Sequence, residues 1–475
     1  MPAITGEEYR NRIKKRQVEL WHNGEIVTNI FEHPSFKGVI NSQANLYDLQ
    51  HKKDIMTYPS PVTGNLVGTS YLQPTTTEDL MKRRKMIQQW AKVSGGMLGR
   101  SPDYMNTVLM TFAASAQLLN DKENCFPQHL INFYEKAREE DLSFTHTFIN
   151  PQVNRSQLYF EDSKDPIAAK VVAEKEDGIV IKGARLLATQ GGITDEILVF
   201  SPGGITDQAF AFAFSIPSDT KGLKFISRDS FVDGDSTYNY PLSSRFEESD
   251  SLVVFDHVVI PWERVFFYNN IEVSNTFKNA SAFAPFTLHQ IVSRQVIKTE
   301  FMVGLAKAIV NTINISEYPH VQEMMAEMIT ALETMEALLI KAEANAKRDE
   351  FELMRPELTP LQVATSTFQK VYARLTEIVQ LLGSSGLVSI PTEADFESEI
   401  RDDLDQYLQS ATLEAKNRVQ LFRLAWDATM SSFGSRQTQY ERFFLGSPNR
   451  LASELYKQYD FTKHTDYINN FLTYD

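Results

Sequence analysis

The sequence predicts an α+β protein in three consecutive regions: helical over 1–145, β over 146–272, and a helical bundle over 273–475. Three observations predict it. Helix-start signals give way to β-branched and aromatic runs near residue 146, and helical periodicity returns near residue 273. The length of 475 residues also exceeds what one hydrophobic core organises.

In chain order, Thr5-Gly-Glu-Glu8 reads as a capping box opening a helix. Thr75-Thr-Thr-Glu78 reads as a second, feeding a helix over Leu80 to Val93. Pro102 suits the first turn of a further helix that holds Tyr104, and Phe126-Pro127 opens another that runs to about Glu140. In the second region Val171–Glu174 and Ile179–Lys182 are β-rich and separated by Lys-Glu-Asp-Gly, a hairpin signal. Ala209–Phe214 alternates small and aromatic residues, as a strand packed on one face does. Leu252–Phe255 and Val258–Ile260 follow, and Pro261 closes the set. In the third region Val321, Met325, Met328, Leu332, Met335 and Leu339 recur at spacings of four and three, the stripe of a long bundle helix. Two more helical runs cover Leu361 to Leu382 and Leu404 to Met430.

The formal net charge of -14, with no basic block, argues against nucleic acid as a partner. The one dense basic stretch, Lys82-Arg83-Arg84-Lys85, falls in a helical pattern and reads as a solvated face. The first residues lack the apolar core of a secretory signal, and no apolar run approaches the roughly 20 residues that span a bilayer. A lone cysteine, Cys125, makes neither an internal disulfide nor a cysteine-based metal site, and no metal is expected. These points fit a cytoplasmic enzyme.

Glycine-rich nucleotide fingerprints, a phosphate loop, zinc-peptidase and serine-nucleophile motifs are all missing from the sequence. Three places remain. Gly95-Gly-Met-Leu-Gly-Arg-Ser-Pro-Asp-Tyr104 is a loop where backbone can approach a ligand beside Arg100 and Tyr104, or a tight interhelical turn. Phe144 to Arg155, with His146, Gln152 and Arg155 among apolar residues, lies at the boundary of two regions, where clefts form, or is a linker. Phe433 to Arg450 interrupts the last bundle helices with Gly, Arg and Ser, either a phosphate-binding composition or a helix–helix corner.

Taken together, Thr5-Gly-Glu-Glu-Tyr9, His33-Pro-Ser-Phe36, Leu46-Tyr-Asp48, Gly99-Arg-Ser-Pro-Asp-Tyr104, His146-Thr-Phe-Ile-Asn-Pro-Gln152, Ala188-Thr189 and Tyr440-Glu-Arg-Phe443 carry a resemblance over nearly the whole chain. The chain resembles the oxygenase component of the 4-hydroxyphenylacetate 3-monooxygenase family, the two-component FAD-dependent phenol hydroxylases. The resemblance implies an acyl-CoA dehydrogenase-like fold, a homotetramer, and aromatic hydroxylation with reduced FAD and O2. A separate NAD(P)H-flavin reductase then supplies the reduced FAD, and a phenolic substrate is hydroxylated ortho to its hydroxyl, giving a catechol.

By the same resemblance Arg100, Tyr104 and His146 are the catalytic and substrate-contacting residues. His146 accepts or hydrogen-bonds the phenolic proton, Arg100 favours phenolate charge, and Tyr104 hydrogen-bonds the substrate oxygen or closes the pocket. FAD contacts are implied for His146, Thr147, Phe148, Gln152, Val153, Asn154, Arg155, Thr189, Gly446, Ser447, Pro448 and Asn449. Two departures stand out. Where relatives place small hydroxyl residues for a substrate carboxylate, this chain reads Ser201-Pro202-Gly203-Gly204, so Ser201 and Pro202 face the substrate with one hydroxyl between them. The 4-hydroxybutyryl-CoA dehydratases of the same superfamily need cluster cysteines, whereas His289 is matched here only by Val296 and the distant Cys125. Alternatives within reach of the sequence are a dehalogenating or N-hydroxylating flavin monooxygenase and a non-catalytic flavin-binding scaffold.

Overall fold

The computed structural model describes residues 3–152 and 166–472. Helix α1 (Gly6–Lys15) opens on the capping box expected at Thr5: Thr5 Oγ1 accepts from the Glu8 amide and the Glu8 carboxylate accepts from the Thr5 amide. The first region is not purely helical, because β1 (Glu19–His22) and β2 (Glu25–Ile26) form a hairpin. Its turn is Asn23-Gly24 with φ of 51° and 84°, the left-handed pair that a two-residue hairpin demands. After α2 (Pro34–Leu49) comes a second hairpin, β3 (Thr57–Pro59) with β4 (Leu66–Gly68). Helix α3 (Thr77–Val93) is boxed one residue later than the sequence suggests, by Thr76 and Asp79.

The basic stretch on α3 is not a solvated face. Arg83 is fully buried and donates to the carbonyls of Thr69, Ser70 and Leu72 and to Thr107 Oγ1. Arg84 pairs with Glu343 at 2.8 Å. A guanidinium carries enough donors to satisfy a turn's carbonyls from inside the core, which charge count alone does not show. Helices α4 (Pro102–Ala114) and α5 (Pro127–Glu140) complete the first region as the sequence places them.

The β region holds β5 (Phe144–Thr147), β6 (Lys170–Lys175), β7 (Gly178–Thr189), β8 (Glu196–Val199), β9 (Phe212–Pro217), β10 (Leu223–Ser227), short helix α6 (Ser243–Phe246), β11 (Asp250–Pro261) and β12 (Val265–Tyr268). Together with β1 and β2 of the first region, these strands form a six-stranded sheet ordered β2-β1-β10-β11-β7-β6 and a four-stranded sheet ordered β12-β9-β8-β5. The β6–β7 hairpin is where the sequence puts it. The strand expected over Ala209–Phe214 begins at Phe212, after a helical turn at Gln208–Phe210, and it is buried on both faces. Phe212 and Phe214 fill the core between the sheets, while Ala213 packs with the helices outside. Small residues alternate with aromatic ones because one face meets a sheet and the other meets helices. Leu252–Phe255 and Val258–Ile260 are halves of the single strand β11, joined through a bulge with His257 at φ 54°.

The third region runs through α7 (Ile271–Ala280), α8 (Phe283–Thr312), α9 (Pro319–Ala344), α10 (Leu358–Gly383), α11 (Arg401–Tyr407), α12 (Ala415–Thr429), α13 (Ser432–Phe443), α14 (Pro448–Gln458) and α15 (Thr462–Asn469). Val321, Met328, Met335 and Leu339 of the α9 stripe are buried, with Met325 and Leu332 packed beside them. The run from Leu404 to Met430 is two helices, not one. Ser410 Oγ accepts from the Leu413 amide and its backbone amide donates to Leu413, a local turn that outcompetes helix continuation. The stretch after Phe433 is mostly α13, so the interruption is confined to the short link before α14. Among the described residues no helix is long and apolar enough to cross a membrane.

Candidate active site

The site grows from the loop joining α3 to α4. Gly96 takes a left-handed φ of 75°, and a Cβ there would come within 2.7 Å of Lys298 on α8. The loop is thereby pressed onto the bundle. Glu248 grips it: its two oxygens accept from the Gly99 and Arg100 amides, each at 2.7 Å. Gln43 and Gln190 both donate to the Arg100 carbonyl, and Gln190 also reaches Glu248. These are buried polar groups with their partners made, so the backbone carrying Arg100 is fixed on both sides.

The Arg100 guanidinium lies 4.3 Å from the centroid of the Tyr104 ring and donates to Tyr440 on α13. Pro102 at the first turn of α4 turns Tyr104 toward β5, where its ring centroid stands 5.6 Å from His146. The structure therefore brings Arg100, Tyr104 and His146 together. His146 is buried among Tyr104 and Phe148, and its Nδ1 has no hydrogen-bond partner. Burial, with the Arg100 charge added, holds the imidazole well below the usual histidine range, so it is neutral at neutral pH. Arg100 Nε is likewise buried without a partner. Both unpaired atoms belong to side chains that flank the Tyr104 ring, so a polar ligand bound there would find partners in them. Phe148 and Phe200, with Phe112 and Phe283, supply an aromatic wall beside His146.

Thr147 donates to the Leu186 carbonyl and Thr145 to the Thr189 carbonyl, which ties β5 of one sheet to β7 of the other. Thr189 donates its hydroxyl to Asp250 at 2.7 Å. Asp250 is pinned by Arg436 at 2.8 Å and Arg228 at 3.1 Å. Burial works against its charge, but the two guanidiniums prevail and hold the carboxyl down at about 2.

Ser201 is buried just beyond β8, where the Phe200 amide donates to Thr147. Ser201 Oγ accepts from the Gly203 amide at 3.3 Å, and Pro202 has no amide hydrogen. Gly446 to Asn449 follows Phe444, whose ring lies 5.8 Å from the Arg100 guanidinium; Gln369 on α10 donates to the Gly446 carbonyl, and Ser447 caps α14. Gln152 closes the first described stretch, and Val153, Asn154 and Arg155 lie outside the described residues. His289 pairs with Glu343 at 2.8 Å, and among the described residues no cluster of His, Cys, Asp or Glu could hold a metal. The sequence gives no role to Glu248 or Asp250, and it places Arg436 and Tyr440 only within the stretch from Phe433 to Arg450. The available signals were an acidic run, Glu247-Glu248-Ser249-Asp250, heading an apolar strand, and Arg436 and Tyr440 one helical turn apart.

Comparison with known proteins agrees over the full chain. Residues 5–267 match the family model described as 4-hydroxyphenylacetate 3-hydroxylase N terminal, and residues 274–473 match the corresponding C-terminal model. A probable 4-hydroxyphenylacetate 3-monooxygenase of Bacillus subtilis (strain 168) is 57% identical, covering 100% of this chain and 99% of its own. The oxygenase component of 4-hydroxyphenylacetate 3-monooxygenase from Geobacillus sp. (strain PA-9) is 44% identical over 99% of this chain and 97% of its own. A crystal structure of such an oxygenase component, complexed with FAD and 4-hydroxyphenylacetate, superposes with a TM-score of 0.93 at 42% identity, covering 99% and 98% of the two chains. Glutaryl-coenzyme A dehydrogenase, at 11% identity and a TM-score of 0.53 over 94% and 92%, shares the fold, which is acyl-CoA dehydrogenase-like.

Proposed function

The chain belongs to the 4-hydroxyphenylacetate 3-hydroxylase family and is the oxygenase component of a two-component, FAD-dependent aromatic hydroxylase, within which we propose that Arg100, Tyr104 and His146 form the face that binds and activates the phenol. The observation that carries this reading is the neutral, buried His146 with its free Nδ1, set beside a guanidinium stacked on Tyr104. A phenol hydroxyl donates to the neutral imidazole, and Arg100 favours the negative charge that grows on the oxygen as its proton shifts. Ring carbons ortho to that oxygen become more electron-rich. Tyr104 presents a phenol to the same oxygen and forms one side of the pocket. The aromatic wall of Phe148 and Phe200 excludes water from the ring.

Reduced FAD, when bound, supplies the electrons and, with O2, the oxygen atom that enters the ring. The residues present fit it: Thr189 gives its hydrogen to Asp250, so its oxygen keeps lone pairs free for a donor on the flavin. Thr147, Phe148 and Thr189 would hold the flavin, joined by Gln152 to Arg155 and by Gly446 to Asn449. A separate NAD(P)H-flavin reductase delivers the reduced flavin, which places the pair in the cytoplasm. We further assign the working form as a homotetramer, supported by the exposed apolar side chains Tyr456, Tyr467, Ile468 and Phe471 near the end of the described chain.

The experiment mixes the protein with photoreduced FAD, O2 and a phenol, and measures catechol. Catechol from the parent, lost in Arg100→Ala and His146→Ala while FAD still binds, is the expected result. Parent-like catechol formation by both variants would remove these residues from the chemistry.

A further inference from the structure

We propose that Tyr440 is a positioning residue for the hydroxylation, its phenol oxygen fixing the Arg100 guanidinium over Tyr104 without neutralising it. The proposal rests on the reading of Arg100 given above. Tyr440 projects from α13, more than three hundred residues from Arg100 in sequence, and accepts a hydrogen bond from Arg100 Nη1. Nη1 also donates to the Gly99 carbonyl at 3.0 Å. The phenol can reach this far because residue 99 is glycine: a Cβ there would stand 2.5 Å from the Tyr440 oxygen. Its ring is clamped in turn, stacked on Phe444 at 4.5 Å and flanked by the Arg294 and Arg436 guanidiniums at 5.7 and 5.3 Å.

What Tyr440 offers Arg100 is a neutral acceptor. The neighbouring carboxylates are engaged elsewhere. Glu441 takes Arg294 and Lys298, Asp250 takes Arg436 and Arg228, and Glu248 accepts from backbone amides of the loop. The ion pairs of the described residues therefore leave the Arg100 guanidinium without a carboxylate of its own. Burial also pushes the Tyr440 phenol up to about 12, the nearby guanidiniums notwithstanding, so it stays protonated through the working range. A carboxylate in that place would orient Arg100 equally well, but it would cancel the charge that a forming phenolate needs. Tyrosine orients and leaves the charge available.

The test is a double-mutant cycle of Tyr440→Phe and Arg100→Ala, each variant supplied with photoreduced FAD and O2. Tyr440→Phe keeps the ring, its stacking and its volume and removes only the oxygen. We expect an unchanged thermal midpoint and about a tenfold lower kcat/KM in the parent background, the low end for a hydrogen bond to a charged group. In the Arg100→Ala background the same change should cost less than twofold. Reading the cycle also as the Kd of a phenol blocked at both ortho positions gives the same coupling if Arg100→Ala is too slow to assay. Equal losses in both backgrounds would make Tyr440 merely structural, and no loss in the parent would give it no role. Full activity of Arg100→Ala alone would overturn the reading of Arg100, and is seen separately in the same cycle.

Discussion

At the scale of single residues, His146 and Thr189 show how protonation is set by surroundings. Because burial and Arg100 hold the folded imidazole below the ordinary value of about 6.5, the neutral form persists as pH falls through that value. The acid limb of kcat/KM should therefore lie well below pH 6.5, and an acid limb at or above it would show that His146 is not the group that must be neutral. Stability follows the same sign. Below about pH 6.5 the unfolded chain takes up a proton that folded His146 refuses, so this residue lowers stability as the solution is acidified. Thr189 gives a second prediction. Its hydrogen goes to Asp250, an obligate acceptor, so toward a ligand its oxygen can only accept. Reduced flavin carries a ring N–H that oxidised flavin lacks. Reduced FAD should bind more tightly than oxidised FAD, with the gap narrowed in Thr189→Val; anaerobic titrations showing equal affinities in the parent would contradict it. If Ser201 and Pro202 face the substrate, Pro202 and the Gly203 amide already taken by Ser201 leave few donors for a carboxylate. Each missing partner costs roughly 1–3 kcal/mol. An uncharged para-alkyl phenol should then match or exceed 4-hydroxyphenylacetate in kcat/KM, and a tenfold preference for the acid would end that expectation. In the sequence, resemblance singled out Arg100, Tyr104 and His146, and the structure brings the three together. Asp250 could not be singled out, because a carboxylate that orients a hydroxyl is indistinguishable in sequence from any acidic residue before a strand.

At the scale of elements, local signals were legible where they are chemically self-contained. The cap of α1, that of α3 to within one residue, the proline starts of α4 and α5 and the β6–β7 turn all depend on neighbours within a few residues. What stayed illegible is set by contacts across the chain. Charged residues of α8 and α13 look solvent-facing as a pattern, yet Arg294, Lys298 and Glu441 are buried and paired with one another. Burial opposes the charge of Glu441, but Arg294 and Lys298 outweigh it and hold the carboxyl at about 2. Its folded value lies below the ordinary carboxylate value of about 4.3, so the stability it contributes is present above that pH and is lost as pH falls toward about 2. Glu441→Gln removes the charge at every pH and leaves two buried cations without their partner. The cost should be about 3–5 kcal/mol, seen as a lower thermal midpoint at neutral pH, with the variant and parent converging as the solution is acidified. A variant as stable as the parent at pH 7 would mean that water or a neighbouring group already satisfies Arg294 and Lys298. Because α13 also carries Tyr440 and Arg436, any loosening of this helix should reach Arg100.

At the scale of the whole molecule, the C-terminal segment remains to be accounted for. Neither α14 nor α15 buries a single residue against the rest of the chain. Tyr456 and Phe471 are each 71% exposed, and Tyr467 and Ile468 more than half exposed. Single exposed apolar residues are ordinary, but a run of them on consecutive helices marks an interaction surface. Its proposed occupant is a second copy of this chain, in keeping with the proposed homotetramer. The link into α14 contains Gly446 to Asn449, where Gln369 of α10 donates to the Gly446 carbonyl. If those residues serve FAD, they can do so in a neighbouring subunit, toward which the exposed helices would carry them. Flavin affinity and assembly should then be linked, because a ligand held by two subunits binds the assembled form alone. Removing residues 459–475 should shift the protein toward smaller species in sedimentation and weaken FAD binding, while leaving the helical content of the remainder unchanged. Dilution of the intact protein should weaken FAD binding in the same way, at the concentration where the assembly comes apart. A truncated protein that is monomeric and binds FAD as the parent does would place Gly446 to Asn449 outside the flavin site and leave the exposed helices to some other partner.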